Sequence, residues 1–171
     1  MIHIYYGDGK GKTTAAAGLA VRAAGSGMRV LFTQFLKTEF SGERDALRNM
    51  EGVVLSTCPL ELKFTYDMTE QEKQQTAVLF RKLFDNSAST ALSSRYDMVV
   101  FDEIFDVINE NMLSESVVFE FIANAPKSLE IVMTGHDPSQ RFIDAADYVT
   151  EFKKIKHPYD KGVTARRGIE F

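Results

Sequence analysis

The stretch Tyr5-Tyr6-Gly7-Asp8-Gly9-Lys10-Gly11-Lys12-Thr13-Thr14 gathers glycine, lysine and threonine between a β-rich run, residues 2–6, and an Ala-rich run, residues 12–25. These residue types suit an oxyanion. Glycines let consecutive backbone N–H groups turn inward, and a helix that opens at Gly-Lys-Thr adds its positive end. In such a loop Lys12 reaches phosphate oxygens and the Thr13 hydroxyl faces a magnesium ion. The spacing departs from the usual Gly-x4-Gly-Lys-Ser/Thr, because the first glycine would fall at Tyr6 and Gly7 comes one residue late. A plain glycine turn before a helix is the bland alternative, and the strand before and helix after weigh against it. Asp102 and Glu103 follow the apolar run Met98-Val99-Val100-Phe101. An acid at the end of such a run is the second part of most nucleoside-triphosphate sites, placed to hold magnesium or its water. Alone it would read equally well as a helix cap.

The elements that must position these groups alternate. Residues 2–6, 29–36, 53–57, 96–103, 129–135 and 147–152 read as strands. Residues 12–25, 42–51, 69–94, 114–124 and 138–146 read as helices. Gly25 and Gly27 can end the first helix. Thr69-x-x-Glu72 is a capping-box pattern that opens the long one, with an interruption expected near Asn86-Ser87. A basic, glycine-containing tail follows the last strand. Regular β–α alternation with apolar strands predicts an α/β fold, a mostly parallel central sheet with helices on both faces. Residues 1–171 read as one domain of the P-loop, RecA-like kind, with ligands at the carboxyl ends of the strands. The glycine loop and the Asp102-Glu103 pair both occupy that edge.

Composition narrows the partners. The 171 residues carry a net charge of −4, so no global basic field draws nucleic acid or an anionic membrane. Cys58 is the single cysteine, which excludes an internal disulfide and fits a cytoplasmic setting. No apolar run approaches the roughly 18 residues of a membrane span, and no secretory signal is visible. At this point three reaction classes remain: phosphoryl transfer, ATP-driven motion on nucleic acid, and transfer of another part of the nucleotide.

Beyond the loop, the chain resembles the P-loop family of ATP:corrinoid adenosyltransferases from about Ile4 to Phe171. Residues 7–30 are similar to that family's loop, its second lysine (Lys10) and its following helix, and the displaced first glycine is a family habit. Gln34-Phe35-Leu36-Lys37, Phe101-Asp102-Glu103, Thr134-Gly135-His136, residues 146–151 and the tail 156–171 fall in the family's order. Lys-His-Pro followed by Gly-Ile-Glu-aromatic is the most specific of these. Thr134-Gly135-His136 stands where the family usually has Thr-Gly-Arg, which weakens any anion contact there. Phe64-Thr65-Tyr66 resembles a Phe-Thr-Trp. Many members carry a segment ahead of the first strand that helps cover the corrin, whereas here the strand opens at Ile2.

The resemblance implies transfer of the 5′-deoxyadenosyl group of ATP to the Co(I) of a corrinoid, with release of triphosphate. It implies ATP as co-substrate, Mg2+ or Mn2+ as the ion, a flavoprotein-type reductase as electron donor and a homodimer. Gly7, Asp8, Gly9, Lys10, Gly11, Lys12, Thr13 and Thr14 would bind the nucleotide. Gln34, Lys37 and His136 would face the same edge, and Phe64 and Tyr66 the corrin. Thr13 and Asp102 would hold the metal, and Lys10, Lys12 and Glu103 would act nearest the chemistry. Two alternatives remain: a non-catalytic ATP- or corrinoid-binding relative, suggested by His136 and the absent cover, and a P-loop nucleoside kinase.

Overall fold

The structure is a computed structural model that describes residues 1–36, 41–58 and 68–170. Lys37, Phe64 and Tyr66 lie outside the described residues. The chain runs β1 (Ile2–Tyr6), α1 (Lys12–Gly25), β2 (Val30–Gln34), α2 (Gly42–Arg48), β3 (Val53–Thr57) and α3 (Glu70–Thr90). It continues through β4 (Met98–Asp102), α4 (Ile104–Asn109), α5 (Glu115–Asn124), β5 (Glu130–Gly135), α6 (Gln140–Ala145) and β6 (Tyr148–Glu151). The six strands form one sheet in the order β3-β2-β4-β5-β1-β6, and every pairing is parallel. A strand, β5, therefore separates the strand that feeds the glycine loop from the strand that ends in Asp102.

Alternation along the central strands divides the core in two. Leu31, Val99, Phe101, Ile131, Met133 and Ile4 pack on one face with the aromatic side of α3, α4 and α5. Val30, Phe32, Met98, Val100 and Val132 pack on the other face against Ala16, Ala20 and Ala23 of α1. Those alanines recur at helical spacing on one face of α1. Having only a methyl each, they seat α1 close against the sheet and place its first turn at the strand ends. On the other side Phe84, Phe101 and Phe121 form an aromatic triangle, with ring centroids 5.3, 5.5 and 5.9 Å apart. That packing is the foundation beneath Asp102, the residue after Phe101.

The expected elements are present, with shifted ends. The capping box opens α3: Thr69 accepts from the Glu72 N–H, and the Glu72 carboxylate accepts from the Thr69 N–H at 2.8 Å. The expected break at Asn86-Ser87 does not occur. Ser87 is buried and its Oγ accepts a 2.9 Å bond from Thr33, so the helix runs through and ends in a π-helical turn at Ala91–Arg95. Helix α4 was not anticipated. It has only six residues and no side-chain cap, and its N-cap Glu103 is in the left-handed region at φ 64°.

Candidate functional site

Four strand ends converge at one edge of the sheet: the loop after β1, Gln34 at the end of β2, Asp102 at the end of β4, and Thr134-Gly135 at the end of β5. The loop is held from behind by the residue that follows β6. The Phe152 N–H donates to Tyr6 O at 2.7 Å, and the Gly9 N–H donates to Phe152 O at 2.6 Å. A Cβ on Gly7 or Gly9 would come within 2.6 Å of that carbonyl oxygen, which is why side chains are excluded at both positions. The Gly7 N–H donates in turn to Gly135 O at 3.3 Å. Asp8 ties the loop to the same segment: its carboxylate accepts the Lys154 N–H at 2.9 Å, a bond that holds it below the usual carboxylate range.

Gly11 is the N-cap of α1 at φ 118°, and its carbonyl accepts the first helical bond, from Ala15, at 2.8 Å. Lys12 is therefore on the first turn, with Thr13 half-buried and Thr14 exposed beside it. The Lys12 ammonium curls back over the loop. It donates to Gly7 O at 2.6 Å and Gly9 O at 3.2 Å, and stands 3.5 Å from His136 Nε2. Burial lowers its pKa, opposed by the carboxylates of Asp106, Glu103, Asp8 and Asp102. Lys10 is exposed on the loop, and its charge helps to lower the pKa of Glu170 in the tail. Glu170 sits at about 2, chiefly because the Arg166 side chain donates to it.

Asp102 is fully buried. Its Oδ1 accepts from the Thr134 hydroxyl at 2.7 Å and its Oδ2 from the Gln34 amide at 3.1 Å. Gln34 and Asp102 are register partners on β2 and β4, so this contact is a product of the sheet itself. The Thr134 hydroxyl also accepts the Glu103 N–H at 2.9 Å, which fixes the left-handed turn that starts α4. A left-handed non-glycine residue costs about 1–2 kcal/mol, and this bond offsets part of it. The Gln34 carbonyl oxygen Oε1 is buried with no hydrogen-bond partner among the described residues.

His136 closes the edge. Its Nδ1 bonds Asp106 Oδ1 at 2.7 Å, and its backbone N–H donates to Asp106 Oδ2 at 3.3 Å. Asn109 donates to its carbonyl at 2.9 Å. The approach is close enough that a Cβ on Gly135 (φ 144°) would lie 2.6 Å from Asp106 Oδ2. The hydrogen bond to Asp106 raises the His136 pKa, with burial opposing.

A phosphate-type loop, a buried acid with one strand between them and an imidazole–carboxylate pair thus share one edge. Comparison with known proteins shows which family the chain belongs to. The family described as ATP:corrinoid adenosyltransferase BtuR/CobO/CobP matches residues 1–171. The chain belongs to the ATP:corrinoid adenosyltransferase family. A corrinoid adenosyltransferase of Escherichia coli (strain K12) is 32% identical over 174 residues, covering 100% of this chain and 85% of that protein. One from Sinorhizobium sp is 30% identical over 173 residues, covering 100% of this chain and 80% of that protein. Among solved structures, EssC (ATPases 2 and 3) from Geobacillus thermodenitrificans shares the fold, with a TM-score of 0.53 at 15% identity over 98% of this chain and 34% of that one.

Within this family member, the structure brings Gly7, Gly9, Gly11, Lys12, Asp102 and His136 to one edge, with Gln34 and Glu103 bonded into it. Three participants were not foreseen. Asp106 sits on the unanticipated α4, three residues after Glu103, a helical spacing legible only once α4 is assumed. Thr134 could be read only as a motif member. Phe152 acts through its backbone, which leaves no trace in residue type.

Proposed function

We infer that this chain transfers the 5′-deoxyadenosyl group of ATP to the cobalt of a Co(I) corrinoid. The cobalt electron pair forms the Co–C5′ bond, the C5′–O5′ bond breaks, and triphosphate leaves with that bond's electrons. Co(I) has no proton to lose, so no general base is required. The protein's tasks are to hold the leaving group, aim C5′ at cobalt and exclude water. The chain-long family match, with Lys12 poised over the glycine loop, carries the reading.

Lys12, turning from the loop carbonyls to phosphate oxygens, would neutralise the leaving group. The exposed Lys10 would add a second cation. Backbone N–H groups along residues 7–14 would complete the cradle, except those of Gly7 and Gly9, which already serve Gly135 O and Phe152 O. The Thr13 hydroxyl, the Asp102 carboxylate and the unpaired Gln34 carbonyl oxygen are hard oxygen donors of the type Mg2+ or Mn2+ takes. Because both Asp102 oxygens are engaged, it would act through a metal-bound water, while Thr13 would bind directly. A bound ion would supply compensation for charge on the triphosphate. Glu103, at the start of α4 beside Asp102, would order that water. Phe64 and Tyr66 would lie against the corrin and keep the lower axial face of cobalt dry, with Lys37 facing the same edge. A flavoprotein-type reductase as the source of Co(I), a homodimer and a cytoplasmic location complete the proposal. Among the described residues no helix is long and apolar enough to cross a membrane.

The test is turnover of MgATP with chemically reduced cobalamin, followed by the cobalamin spectrum. Adenosylated product supports the reading. ADP formation with a nucleoside acceptor would select the kinase alternative, and tight MgATP binding without turnover the non-catalytic relative.

A further inference from the structure

The three ammonium protons of Lys12 face Gly7 O, Gly9 O and His136 Nε2, at 2.6, 3.2 and 3.5 Å. The other imidazole nitrogen, Nδ1, is held at 2.7 Å from Asp106 Oδ1. A carboxylate accepts only, so Nδ1 carries its hydrogen. That leaves Nε2 as the lone-pair nitrogen, turned toward Lys12 and so toward the loop. Two cations 3.5 Å apart repel, so Lys12 in this position opposes protonation of Nε2. A triphosphate in the loop changes both conditions. Lys12 turns to phosphate oxygens, Nε2 loses its donor, and a lone pair is left facing an anion. Taking a proton from solvent turns repulsion into a charge-assisted hydrogen bond.

We propose that His136 takes up a proton when nucleotide binds, so that this site assembles one of its phosphate-binding cations only in the loaded state. The proposal rests on the ATP-binding reading above. Every charged group around the imidazole bears on it. Asp106 on α4 and Asp137 in its own loop favour the imidazolium, and Lys12 on α1 opposes it. Asp8, Glu103 and Asp102 surround that lysine and moderate its field. Asp106 already raises the pKa of His136 above the ordinary histidine value. The window of proton uptake therefore starts above the ordinary value and extends to the higher pKa of the loaded site. Within it MgATP binding weakens as pH rises, by up to tenfold per pH unit, and outside it the dependence flattens.

Two measurements on the intact chain test this. Calorimetric titration with MgATP, and with magnesium and inorganic triphosphate, in buffers of different ionisation enthalpy counts protons taken up. Up to one proton is expected for the parent inside the window. His136→Gln and His136→Arg should bind with that uptake lost. NMR of the imidazole resonances should show the His136 pKa rising on loading. Equal proton uptake by parent and His136→Gln, or an unmoved His136 pKa with MgATP bound, overturns the proposal while the ATP-binding reading stands. Failure of the parent to bind MgATP at all overturns both.

Discussion

At the scale of single residues, Lys12 and Asp102 carry the sharpest expectations because their surroundings differ so much. Lys12 is a half-buried cation held by two loop carbonyls, and a charge-assisted phosphate contact is worth about 1.5–3 kcal/mol. Lys12→Ala should therefore weaken MgATP binding by about 10- to 150-fold, read by calorimetric titration; unchanged affinity would remove the phosphate-loop assignment. Asp102 is immobile, fully buried between Thr134 and Gln34. In Asp102→Asn the retained Oδ1 still accepts from Thr134, and a flipped Gln34 amide can present Oε1 to the new NH2 group. The fold should survive, with thermal unfolding shifted by only a few degrees, while the dependence of turnover on Mg2+ concentration moves to much higher levels. A metal titration identical to the parent's would leave Asp102 a purely structural acid. Residue-level legibility follows the same division. The placement of Lys12, Thr13 and Asp102 at the strand-end edge was readable because a glycine loop before a helix and an acid after an apolar strand are local patterns. The link from His136 to Asp106 joins residues 30 apart through a helix too short to announce itself.

At the scale of elements, the glycine loop depends on β6 as much as on β1. Phe152 bonds Tyr6 O through its N–H and receives the Gly9 N–H on its carbonyl, so the last strand closes over the first loop. Gly9→Ala would drive a Cβ to 2.6 Å from Phe152 O and 2.7 Å from its carbonyl carbon. Backbone atoms cannot rotate aside, so the loop or the chain after β6 must shift, at a cost of about 1–3 kcal/mol. The expected result is a lower unfolding midpoint together with MgATP binding weakened more than tenfold. A Gly9→Ala protein with parental stability and affinity would mean that this seam does not shape the loop. The strand–helix alternation and the α3 capping box were legible because they are written in neighbouring residues. Strand order was not, since the step from β1 to β2 passes over two other strands and is set by tertiary packing. The continuity of α3 past Asn86-Ser87 was hidden for a related reason: Ser87 finds its partner, Thr33, on β2.

At the scale of the whole molecule, two dissimilar cores support one edge: a small-residue layer under α1 and an aromatic layer under α3 and α5. Phe101 belongs to the aromatic triangle, is fully buried and precedes Asp102, so stability and site geometry meet there. Phe101→Ala should cost about 3–5 kcal/mol in denaturant unfolding, as large-to-small aromatic changes in cores do. A loss below about 1 kcal/mol would mean that the two neighbouring rings repack freely. The α/β class and the parallel sheet were legible because apolar strands alternating with helices admit few other arrangements. The family was legible because its motifs run in order along the chain, most specifically in the tail. Lys37, Phe64 and Tyr66 fall outside the described residues, so their proposed role rests on the resemblance. The central claim is that carbon, not phosphorus, is transferred from ATP. It is tested most directly with ATP carrying 13C at the 5′ position, magnesium and pre-reduced Co(I) cobalamin, with the 13C and 31P spectra of the products recorded together. The account predicts that the labelled carbon becomes cobalt-bound while inorganic triphosphate appears in equal amount. A labelled carbon that remains attached to oxygen, with ADP or no phosphorus product, would contradict it.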